Sequence, residues 1–191
     1  MDSKRDKNII KVPLELRSRC YALALMRLDQ YATGRANNSL AVSSHGAEHS
    51  LDIQKQGLFA ELGMCLWSGL DAVAHLDRAR RETADNGTDI VVGQGYRIDV
   101  KSTGWYGQWL LWPYRKRQLY ASKVFDALVL VKVDWDASLC LIGGWITKSE
   151  FAKQHKAAVE GNPWHFTIGT MILHEKFLTP MECFPYRMIV A

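Results

Sequence analysis

No run of apolar residues in this chain approaches the length needed to cross a bilayer, so a membrane-embedded protein is not expected. Cysteine is sparse: Cys20, Cys65, Cys140 and Cys183 lie far apart, with no C-x-x-C pair. That spacing argues against a disulfide framework and against a zinc site, and for reduced core thiols in a cytoplasmic protein. Internal repeats and low-complexity segments are absent too. The opening MDSKRDKNIIKVP is charged and lacks the apolar stretch of a secretory leader.

What is present fits one compact domain. The chain has 191 residues, of which 48% are hydrophobic, enough for a packed core. Its formal net charge of +4 permits an anionic partner without demanding one. Residues 1–12 read as a flexible basic arm and residues 13–46 as an N-terminal helix and loop. In that helix Leu14, Tyr21, Leu25 and Leu28 recur at helical spacing behind Pro13. A second helix is expected over 47–68, where Leu51, Leu58, Phe59, Leu62, Leu66 and Trp67 keep the period and Glu61 falls among them.

Strands then dominate. Residues 89–92 and 96–102 flank Gly93-Gln-Gly95 as a hairpin, and 108–112 reads as a third strand. Pro113 opens a short basic helix, and 126–133 and 139–146 read as further strands, the first apolar enough to be buried on both faces. Thr147 and Glu150 form a capping box for a helix to about residue 157. Residues 47–157 make the core and 158–191 a C-terminal extension with no assigned element. The expected class is α/β (α+β), a central mixed sheet flanked by helices.

The hairpin carries the chemistry. Residues i and i+2 share a strand face, so Arg97, Asp99, Lys101 and Thr103 point one way while Ile98 and Val100 point the other. Asp89, on the facing strand, brings a second carboxylate towards Asp99. Two close carboxylates repel, and a hard divalent cation such as Mg²⁺ or Mn²⁺ relieves the repulsion. Such an ion acidifies water and neutralises a phosphodiester, and Lys101 would hold the attacking water or stabilise the developing charge. Glu61 would complete the shell from its helix.

Glu61 in GLFAELG, Asp89 in NGTDI and Asp99-Val100-Lys101 in YRIDVKST resemble the signature of the PD-(D/E)XK nuclease superfamily. The helix–strand–strand–strand–helix–strand order over 47–133 is similar to its restriction-endonuclease-like core. The resemblance implies that Asp89, Asp99 and the Val100 carbonyl hold Mg²⁺, for which Mn²⁺ substitutes, with Lys101 as the catalytic lysine and Glu61 as the helix-borne acid. Thr88 stands where the family places proline, and Gln118-Leu-Tyr120 is not the Q-x-x-x-Y of its exonuclease branch. A second D-x-K, Asp2-Ser-Lys4, lies in the N-terminal arm without a strand context. The implied activity is a Mg²⁺-dependent deoxyribonuclease, read as an endonuclease on duplex or branched DNA. The alternatives are an inactive nuclease-fold module that binds DNA or protein, and a plain surface hairpin. Cutting both strands calls for two sites, which a homodimer would supply.

Between Arg97 and Lys123 the positive residues Arg97, Lys101, Arg115, Lys116, Arg117 and Lys123 face the single acid Asp99. With Thr103 they form the expected nucleic-acid strip, and the interleaved Trp105, Tyr106, Trp109, Trp112, Tyr114 and Tyr120 either stack on bases or pack in the core. His45, Glu48 and His49 spell the H-x-x-E-H of a zinc-protease class, but the match begins in a Ser/Gly loop and is read as a polar helix start.

Overall fold

A computed structural model of the chain describes residues 7–32, 47–81, 88–112, 123–157 and 170–185. These form a mixed α/β structure. Strands β1 (Ile9–Lys11), β2 (Ile90–Val92), β3 (Tyr96–Gly104), β5 (Ala127–Asp134) and β6 (Leu139–Thr147) build a sheet in the order β1-β6-β5-β3-β2. Only β3 and β5 run parallel; the other pairings are antiparallel. A second, antiparallel sheet is ordered β4-β8-β7, from Trp109–Trp112, Met171–His174 and Lys156–Ala157. The described helices are α1 (Leu14–Ala32), α2 (Ala47–Ser68), α3 (Ala72–Arg81) and α4 (Lys148–Gln154). None is long and apolar enough to cross a membrane.

β5 explains the layering. Val129, Val131 and Val133 face a cluster shared with α1, α2 and α3, while Leu128 and Leu130 face Leu110, Trp112, Leu173 and Phe151 on the other side. A strand covered on both faces needs a near-continuous apolar run, which β5 supplies from Ala127 to Val133 with Lys132 as its one break. The helical layer approaches closely: a Cβ on Gly63 of α2 would lie 2.6 Å from Cys140 Sγ on β6. This seating carries Glu61 towards the edge where β2 meets β3.

Several expectations are corrected. Part of the supposed arm is strand β1, because its apolar Ile9 and Ile10 extend the sheet edge against Leu141 and Cys140. Helix α1 buries Leu16, Cys20, Leu23 and Ala24, not the larger stripe: Leu14 is 70% exposed, and Tyr21 and Leu25 are exposed. Small Cys20 and Ala24 let α2 come close, with Cys20 Sγ donating to the Lys55 carbonyl at 3.7 Å, so the narrower stripe goes inside. The third expected strand, β4, leaves the central sheet to pair with β8. Helix α4 has its capping box but stops at Gln154, before β7. Cys20, Cys65 and Cys140 are buried and their thiols pushed up to about 12, chiefly by burial, whereas Cys183 is exposed. The basic helix after Pro113, with Arg115, Lys116 and Arg117, lies outside the described residues, as does His45.

Candidate active site

The hairpin forms as its glycines dictate: Gly93 and Gly95 take φ of 54° and 99°, and Val92 faces Tyr96 across the turn. That register sets Asp89 beside Asp99. Beyond Ile90 the backbone ladder gives way to a side chain: Asp89 N–H donates to the Ile98 carbonyl at 2.9 Å, and Asp89 Oδ2 accepts from Val100 N–H at 2.6 Å. The N–H and C=O of one extended residue lie on the same strand edge, so the Val100 carbonyl also faces the Asp89 side.

Ile98 and Val100 join the helix-side core, as alternation requires. Lys101 lies on the opposite face with its Nζ 4.6 Å above the Trp112 ring. The Lys101 ammonium also abuts Asp99 Oδ2. Asp99 is only 2% exposed, and its Oδ2 meets the Lys101 ammonium as an ion pair with no further hydrogen bond from the described residues. Asp89 is held well above the usual carboxylate range, first by burial, then by the charges of Asp99 and Glu61; Lys101 and the Val100 N–H only partly oppose this.

Glu61 therefore acts on the cluster from α2. Its Oε2 is 2.8 Å from His75 Nε2 on α3. Arg78 lies 3.2 Å from His75 Nδ1 and donates to the Asp89 carbonyl at 2.5 Å. Helix α3 was not expected from sequence because alanines carry much of its buried stripe, Ala72, Leu76 and Ala79. The missed signal is Asp71, whose Oδ1 accepts from Val73 and Ala74 N–H at 2.9 and 3.0 Å as an N-cap, followed by His75 and Arg78 one turn apart.

Among the described residues no three His, Cys, Asp or Glu side chains converge tightly enough to hold an ion by themselves. A Mg²⁺ site does not need three: one or two carboxylates with waters is its usual protein complement. The buried Asp99 carboxylate, the neighbouring Asp89 and the Val100 carbonyl fit that requirement, and Glu61 adds negative charge nearby.

The expected nucleic-acid residues are dispersed. Arg97 is tied to Asp126, its Nε 3.3 Å from Oδ2. Lys123 Nζ sits 5.5 Å from the Trp112 ring centroid. Thr103 tucks under the β3–β4 turn, where a Cβ on Gly107 would strike its Oγ1 at 1.9 Å. Trp112 is core, stacked on Phe125, and Trp109 packs edge-on against His174, whereas Tyr106 at the turn is 91% exposed. Comparison with protein-family models, curated proteins and solved structures gives no match.

Proposed function

We propose that this chain is a metal-dependent nuclease of the PD-(D/E)XK kind, with a restriction-endonuclease-like core, that hydrolyses DNA phosphodiester bonds as an endonuclease. One observation carries the reading: the buried Asp99 carboxylate, whose Oδ2 is met by the Lys101 ammonium alone among the described residues, lies beside a second aspartate whose proton affinity is raised by burial and then by its neighbours' charge. A structural site would pair those charges; an excess of buried carboxylate suits a cation. Asp89, Asp99 and the Val100 carbonyl would hold Mg²⁺ or Mn²⁺, with Glu61 supporting them. The ion, when bound, supplies positive charge to the scissile phosphate and makes water more acidic.

The chain's own groups do the rest. Lys101, braced between Asp99 and the Trp112 ring, presents a fixed ammonium that orients the attacking water and meets negative charge growing on the phosphate. The Val100 N–H fixes Asp89 Oδ2, leaving the other oxygen for the ion or its waters. Lys123 lies over the same ring as Lys101 and would meet a phosphate next to the one being cut. Arg97, Thr103 and the Arg115–Arg117 segment would extend the grip on the backbone.

The engagement of Glu61 by His75 favours a second reading, a nuclease fold that binds DNA without cutting. Incubation of supercoiled plasmid with Mg²⁺ separates the two. Nicking or linearisation by the native chain, abolished in Asp99→Ala and in Lys101→Ala, is the expected result. Binding without cleavage favours the second reading, and neither binding nor cleavage rejects both.

A further inference from the structure

We infer that His75 and Arg78 are positioning residues that set how tightly the carboxylate cluster binds a divalent cation; this rests on the nuclease reading above. The chain of contacts is continuous. Glu61 Oε2 meets His75 Nε2 at 2.8 Å, His75 Nδ1 meets Arg78 at 3.2 Å, and Arg78 reaches the Asp89 carbonyl at 2.5 Å. It links three elements: α2 with Glu61, α3 with the His–Arg pair, and the entry to β2 with Asp89.

The chemistry of the chain has one direction. A guanidinium can only donate, so Nδ1 of His75 must accept, which puts the ring proton on Nε2. Nε2–H then donates to Glu61, fixing the rotation of its carboxylate and leaving its second oxygen uncommitted by this contact. The same guanidinium grips the backbone of Asp89, so the spacing between the two acids is set through α3 rather than by direct contact. His75 is buried, its side chain 6% exposed, and that of Glu61 is 17% exposed, so the contact is shielded from competing water. Groups placed this way around a metal site typically shift metal affinity or activity by about 10–100-fold.

The test is Mn²⁺ affinity of the full chain by titration calorimetry, with urea midpoints recorded alongside. His75→Ala is expected to weaken Mn²⁺ binding by about tenfold or more. His75→Gln, whose amide N–H can replace Nε2–H, is expected to recover most of that loss. Glu61→Ala combined with His75→Ala should lose less affinity than the sum of the two single losses, because His75 acts in part through Glu61. Should His75→Ala fail to fold, Arg78→Met is read in its place and is expected to weaken binding in the same direction. Unchanged Mn²⁺ affinity in a folded His75→Ala, or losses that simply add in the double variant, overturns the inference while native binding stands. If the native chain itself binds no Mn²⁺, the nuclease reading fails with it.

Discussion

Two lysines on neighbouring strands each meet a carboxylate below the surface, with opposite consequences. Lys132 of β5 pairs with Glu175 at 2.6 Å, side chains 9% and 22% exposed, and the pair pins the second layer to the central sheet. Lys101 of β3 meets Asp99, but Asp89 and Glu61 add negative charge at the same place. One acid against one base closes a structural contact. Three acids beside two bases, Lys101 and Arg78, leave an excess of carboxylate that folding alone does not satisfy. Partner balance, more than burial, separates the two lysines.

The contrast can be broken at its closed end first. Lys132→Met strands Glu175 in a shielded place and is expected to destabilise the protein by about 3–5 kcal/mol, measured by urea denaturation. Adding Glu175→Leu should restore most of that loss, since apolar replacement of both partners of a buried pair is often neutral. A small effect of Lys132→Met would show the pair to be solvated and the contrast to be false.

At the open end the sign reverses. The Asp89 carboxyl is held above its usual value, so the folded state binds its proton more tightly than the unfolded state does. That contribution is full below the ordinary carboxylate range and is lost as pH rises through the raised folded value. Asp89→Asn is therefore expected to raise the metal-free urea midpoint at neutral pH and to flatten its fall between acid and neutral pH. A lowered midpoint would mean that the carboxylate is stabilising where it stands.

The smallest effect belongs to an exposed pair, Arg97 with Asp126, which gives the comparison its surface limit. The Arg97 hydrogen bond holds the Asp126 carboxyl below its usual value, so its stabilisation is present at neutral pH and lost as pH falls through the lowered folded value. The side chains are 42% and 33% exposed, so Asp126→Asn should cost under about 1 kcal/mol, seen as a shallower acid limb of stability against pH.

Much of the site could be read locally. A glycine turn between two short strands sets Asp89 against Asp99, and alternation puts Lys101 on the Asp99 face, because both follow from pleat and register. Glu61 announced itself as a charge inside an apolar helical stretch. His75 and Arg78 did not, since their helix hides its apolar stripe in alanines and their partners lie on other elements. Strand β4 was visible as a strand, but its partner β8 lies some sixty residues on, and nothing near Trp109 encodes which sheet it joins. The buried face of α1 is not legible in the sequence, because two stripes share the helical period and the fit against α2 chooses the smaller one.

The charge deficit is tested most directly by urea denaturation of the native chain and of Asp99→Asn, each with and without Mn²⁺. A cation that binds only the folded state should stabilise the native chain by about 2.7 kcal/mol when present at a hundred times its dissociation constant. Asp99→Asn should lose that response and, without metal, match or exceed the native midpoint. Native midpoints that coincide with and without Mn²⁺, or an Asp99→Asn protein that responds as fully as the native one, would contradict a cation site among these carboxylates.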